Sequence, residues 1–142
     1  MEPNFHDGEY LIVDELSYRF REPERGEVII FHYPVDSSEK FIKRIIGLPG
    51  EKVVLTDDCL KIISQSKEEF CLNESNYINS LNFLKNDREF KLTENQYFVM
   101  GDNRSHSFDS RNWGPLAKNY IIGRALIRPF YLQDIIIEKP SY

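Results

Sequence analysis

Short β-branched and aromatic runs, each closed by turn residues, recur along this chain and limit what it can fold into more than any other feature. Residues 9–13, 27–32, 40–46, 52–55, 60–63, 96–100 and 121–127 read as strands, bounded by Asp7-Gly8, Arg25-Gly26, Pro49-Gly50 and Gly101-Asp102. Helix signals are weak. Seven strands among 142 residues, 41% of them hydrophobic, leave room for one core of ordinary size. The expectation is a mainly β chain of antiparallel sheets forming a single domain over residues 1–142. In Leu48-Pro49-Gly50-Glu51, Pro and Gly occupy the central positions of a type II turn, which predicts that the strand carrying Lys43 reverses and pairs with residues 52–54. Polar residues dominate from Ser64 to Asn95 despite Phe70, Tyr77 and Phe83, and a surface hairpin and loop excursion is expected within about 56–95.

A formal net charge of −5 argues against a nucleic-acid partner, whose phosphates call for clustered Lys and Arg. No run approaches the roughly 18 to 20 apolar residues of a membrane-spanning helix, and the N-terminus lacks a basic-then-apolar signal pattern, so the chain taken alone reads as soluble. Cys59 and Cys71 lack the paired spacing of a zinc site, and His6, His32 and His106 show no ligand spacing. Neither a metal nor another cofactor is expected. The two thiols suit either a disulfide in an oxidising compartment or two small buried hydrophobes. Asn-x-Ser triplets at Asn73 and Asn103 arise often by chance and are assigned no role.

Two places could carry chemistry. Residues 101–114, Gly-Asp-Asn-Arg-Ser-His-Ser-Phe-Asp-Ser-Arg-Asn-Trp-Gly, concentrate acids, bases and hydroxyls directly after an apolar strand. Asp102 and Asp109 can accept bidentate hydrogen bonds from Arg104 or Arg111, bracing a loop rigid enough to aim Ser107 at a neighbour. The same composition also suits a turn held by ion pairs and nothing more. The second place is Lys43, because strand alternation puts Phe41, Lys43 and Ile45 on one face and Ile42, Arg44 and Ile46 on the other. Apolar neighbours disfavour the ammonium and can lower its pKa from about 10.4 to roughly 7 to 8, where the neutral amine accepts a proton as a general base. A snorkelling or edge-strand lysine is the plainer alternative.

Together these segments resemble the type I signal peptidases, serine–lysine peptidases, along nearly the whole chain. Met1-Glu-Pro-Asn-Phe-His-Asp-Gly-Glu-Tyr-Leu-Ile-Val13 is similar to the family's segment just after the catalytic serine, and Arg25-Gly26-Glu27-Val28-Ile29-Ile30-Phe31 to its second box. Phe41-Ile-Lys-Arg-Ile-Ile-Gly-Leu-Pro-Gly-Glu51 resembles the lysine box, and residues 101–114 the final one. The resemblance implies the signal-peptidase catalytic β fold, with Lys43 as general base and Ser107 as the hydroxyl that orients its amine. Asp102, Arg104, Asp109 and Arg111 become the bracing network. Met1, Phe5, Phe41 and Ile42 fall where the family lines shallow pockets for small side chains, and the edge of the Lys43 strand would bind an extended substrate by strand addition. The implied partners are the signal peptides of preproteins and a membrane surface, with the full-length form membrane-anchored and its catalytic part extracytoplasmic.

The family's nucleophilic serine immediately precedes the methionine aligned with Met1, and the membrane anchor lies upstream of it, so both would fall before this sequence begins; Asn4 stands where a threonine is usual. The expectation is truncation, by shortening or by a start assigned at an internal methionine, with a pseudoenzyme as the alternative, and no peptidase activity from residues 1–142 alone. Ser17, Ser37 and Ser107 lie outside the matching segment and do not replace the nucleophile. Rival readings are a non-catalytic module binding peptides or a membrane through the same strand edge, and a self-cleaving repressor with the same serine–lysine chemistry, which would not supply the Asp-Ser-Arg-x-Trp-Gly box.

Overall fold

The structure, a computed structural model, describes residues 1, 11–76, 78 and 88–127. Among them are ten strands: β1 (Ile12–Asp14), β2 (Val28–His32), β3 (Lys40–Gly47), β4 (Lys52–Leu55), β5 (Leu60–Ile63), β6 (Glu69–Cys71), β7 (Arg88–Lys91), β8 (Gln96–Met100), β9 (Leu116–Ala117) and β10 (Ile121–Ile127). One short helix, α1 (Ser110–Trp113), follows β8. The strands form a six-stranded sheet in the order β1-β10-β2-β3-β8-β9 and a four-stranded sheet in the order β6-β5-β4-β7, every pair antiparallel. The mainly β, antiparallel expectation therefore holds. The expected strand at 9–13 falls partly outside the described residues.

Alternation along the strands produces two apolar clusters. Val53, Leu55, Leu60 and Ile62 turn inward from β4 and β5 and pack with Ile46, Leu92, Phe98 and Met100. Ile29, Phe31, Ile45, Tyr97, Val99 and Leu116 form the second cluster within the six-stranded sheet. Burying each such side chain stabilises the fold by roughly 1.5–3 kcal/mol. Because β3 and β8 send successive residues to opposite faces, both strands contribute to both clusters.

Two expectations change. The turn at 48–51 exists, with Gly50 at φ +78° and Glu51 N–H donating to Leu48 O at 3.2 Å. It does not return the chain onto β3. β2 and β8 already flank β3, so the chain crosses to the other sheet, where β4 pairs with β5 and β7. Glu51, buried, anchors the crossing by accepting from Leu48 N–H and from both terminal nitrogens of Arg25. The region read as a surface excursion also contains β6 and β7, which complete the four-stranded sheet. Both are edge strands made largely of exposed residues, charged at three of four positions in β7, and such strands lack the buried apolar alternation that an apolar-pattern reading looks for. Cys59 and Cys71 are joined as a disulfide, their Cα atoms 5.8 Å apart, linking the start of β5 to β6. No helix among the described residues is long and apolar enough to cross a membrane.

Candidate active site

Lys43 sits on β3 directly opposite Ile29, on the face that also carries Phe41 and Ile45. Its amine lies 5.5 Å from the centroid of the Phe41 ring, and the side chain is half-buried. Burial depresses its pKa below the ordinary lysine value; Asp109 and Asp102 pull it back up, and Arg111 assists the depression. β8 pairs with β3 only from Arg44 onward, and no described strand pairs with residues 40–43 on that side. The lysine thus stands where the β3–β8 ladder ends, on an edge that no described strand covers.

The loop after β8 folds back over that place. Its return is fixed by side chains that continue the ladder: Val99 N–H donates to Ser110 Oγ at 3.0 Å and Gly101 N–H to Asp109 Oδ2 at 3.0 Å. Asp109, fully buried, also caps α1 by accepting from Arg111 N–H, while its own N–H donates to Asn112 Oδ1. Burial alone would raise the Asp109 carboxyl, but the Arg111 guanidinium, donating through Nε at 2.8 Å and Nη2 at 2.9 Å, holds it below its usual value with help from Gly101 N–H. The Asp109–Arg111 pair is one that sequence reasoning offered as a possibility. Asp102 instead receives two hydrogen bonds from Arg44, at 2.8 and 2.7 Å, and Arg104 donates to Glu74 through both terminal nitrogens. Neither Arg44 nor Glu74 was singled out beforehand. Their partners lie 58 and 30 residues away, and no local pattern announces such pairings.

Gly101 brings the functional side chains together. A Cβ placed on it would stand 2.2 Å from Ser107 Oγ and 3.6 Å from Lys43 Cδ, so both side chains converge on the space its missing side chain leaves. Ser107 Oγ is buried beside the Asp109 carboxylate and has no well-formed hydrogen bond among the described residues. Lys43, Ser107, Gly101, Phe41 and Met1 line one cleft of about 130 Å³, with Phe108 and His106 at its side. Asp102 N–H approaches Met1 Sδ at 3.4 Å. Phe41 stacks on Tyr33 at 4.7 Å, and Phe108 meets Tyr33 edge-on at 6.0 Å, giving the cleft an aromatic wall. Ile42 lies on the opposite face of β3, paired with Ile30, and does not line the cleft; Phe5 falls outside the described residues. Among the described residues no group of three or more His, Cys, Asp or Glu is arranged to hold a metal ion. What the cleft holds is a desolvated amine, a buried hydroxyl and an open strand edge, a set suited to moving a proton beside an extended chain.

The chain is similar in sequence and in fold to known signal peptidases. Residues 1–130 match the family model described as signal peptidase, peptidase S26. A signal peptidase I of Leptolyngbya laminosa is 40% identical over 136 residues, covering 90% of this chain and 63% of that protein. A probable signal peptidase I-2 of Synechocystis is 37% identical over 134 residues, covering 90% and 58%. The crystal structure of a signal peptidase I from Enterococcus faecalis superposes with a TM-score of 0.61 at 30% identity, over 75% of this chain and 98% of the other. The fold is that of signal peptidase I. The chain belongs to the signal peptidase family, peptidase S26, and spans about three-fifths of the length of the first two of these relatives.

Proposed function

We propose that this chain carries the base side of a serine–lysine endopeptidase that removes signal peptides from secreted proteins. The observation that supports the reading best is the half-buried Lys43 amine sharing one cleft with Ser107 and Met1, beside the open edge of β3. In this reading a serine hydroxyl placed just before Met1 gives its proton to neutral Lys43, and the oxygen attacks the scissile carbonyl. The lysine then passes that proton to the leaving amine, and water, activated by the same amine, hydrolyses the acyl-enzyme. Ser107 orients Lys43 across the space that Gly101 leaves free. The Asp109–Arg111, Asp102–Arg44 and Arg104–Glu74 pairs keep the loop rigid while this happens. An extended signal peptide would add to β3 at residues 40–43, with Met1 and Phe41 restricting one set of its alternate side chains and Ile42, on the other face, the next set; by the family resemblance Phe5 also contributes to these pockets. The Cys59–Cys71 disulfide suits an extracytoplasmic location, and an anchor upstream of Met1 would hold the whole protein at the membrane.

Residues 1–142 alone are expected not to cleave. The test joins them at Met1 to a preceding serine and assays a peptide with alanine at both small-pocket positions. Cleavage should appear, and Lys43→Ala should reduce it by about 10²–10⁴-fold. Only the neutral amine is active, so the rate should rise with pH through the Lys43 pKa, and because burial lowers that pKa the rise should be centred below the value of a free lysine. Unchanged cleavage in Lys43→Ala, or a rise centred near the free-lysine value, would refute the assignment.

A further inference from the structure

A further buried ion pair ties the loop that carries Ser107 to the stretch that follows β6. Glu74 and Arg104 form a bidentate pair across 30 residues of sequence, with side chains 1% and 5% exposed. Glu74 lies shortly after β6, in the polar stretch that the family motifs leave out. With both terminal nitrogens of Arg104 directed at Glu74, its remaining Nε donates to Gly101 O at 3.1 Å. The N–H of the same Gly101 donates to Asp109. Gly101 is therefore held at both its backbone polar groups by buried charged side chains, and it is the residue on which Ser107 Oγ and the Lys43 stem converge.

We propose that Glu74, acting through Arg104, is a positioning residue that fixes Gly101 and thereby the approach of Lys43 to Ser107. The inference rests on the serine–lysine reading above. Filling this space would not require charge, since apolar side chains of similar volume often serve stability as well or better than a buried ion pair. What the pair supplies is direction: a planar guanidinium aligned on a carboxylate through both terminal nitrogens has its single Nε–H fixed in the same plane, here aimed at Gly101 O.

The test reads Lys43 directly. Competitive acetylation of the 142-residue chain across pH, resolved by mass spectrometry, gives the pH at which each lysine becomes reactive. Asp102, Asp109 and Arg111 act on the charge of Lys43 and His106 lines its cleft; all stay unchanged in the variants Glu74→Gln and Arg104→Gln. Through space alone, loss of a negative charge would make Lys43 reactive at lower pH and loss of a positive charge at higher pH. Loosening of Gly101 admits water in both variants and should move Lys43 to higher pH in both. In the serine-joined chain, kcat should fall about tenfold in both, with KM little changed. Opposite shifts, or no shift beside a lowered melting temperature, would overturn the proposal. Should the single variants not fold, Glu74→Leu with Arg104→Met restores volume without charge, and wild-type kcat in that double variant would equally overturn it. If the serine-joined wild type cleaves nothing, the serine–lysine reading falls while the acetylation result still decides whether Glu74 positions Lys43.

Discussion

A methyl group at Gly101 would meet Ser107 Oγ at 2.2 Å and Ser107 Cβ at 2.7 Å, distances that require Ser107 to move. Gly101→Ala should therefore lower kcat/KM of the serine-joined chain by about 10²-fold, the loss expected from misplacing a catalytic group by an ångström, while the far-UV circular dichroism stays that of the wild type. Activity within twofold of wild type would mean that Ser107 does not orient Lys43. The Lys43 environment itself was readable from alternation: Phe41 and Ile45 share its face, and Ile46 joins the other cluster. Arg44 and Glu74 were not readable, because an ion pair across 58 or 30 residues exists only once sheets and loops are assembled. The loop's composition pointed to a braced network. Which carboxylate each arginine would take was beyond it.

Among elements, β4, β5, β8 and β10 begin and end where the apolar runs begin and end. β4 and β5 each bury one face, so a period of two is written into them, whereas β8 buries both faces and reads as a continuous apolar run. β6 and β7 were missed for the converse reason, since Glu69–Cys71 is exposed throughout and Arg88–Lys91 nearly so. The disulfide compensates for the little apolar area that β6 buries. Removing it with Cys59→Ser and Cys71→Ser should cost about 2–3 kcal/mol, the loop-closure entropy for a separation of 12 residues, measured as a shift in the denaturant midpoint. An unshifted midpoint would show that β6 is held by its hydrogen bonds to β5 alone.

At the scale of the molecule, the two apolar clusters share β3 and β8, so neither sheet can lose its packing without disturbing the other. Unfolding should therefore be a single transition, with the fluorescence of the one tryptophan, Trp113 beside the second cluster, following the same curve as far-UV circular dichroism. Ile46→Ala, a change in the first cluster, should lower both midpoints together and cost about 2–5 kcal/mol. Separate transitions would mean that the sheets fold independently. This arrangement was hidden in the sequence because the turn at 48–51 looks the same whether the chain returns to its own strand or crosses to another.

The second sheet leaves and rejoins the first between neighbouring strands, β3 and β8, and the two crossings are tied by Leu92 N–H to Glu51 O at 2.8 Å and Gly50 N–H to Thr93 O at 3.1 Å. An insert closed at its neck can grow or shrink with small entropic penalty, since each doubling of loop length costs only about 0.6 kcal/mol. Natural variation in size can accumulate there without touching Lys43. Shortening that removed the stretch around Glu74 would spare Lys43 but remove the carboxylate that pairs with Arg104 beneath Gly101.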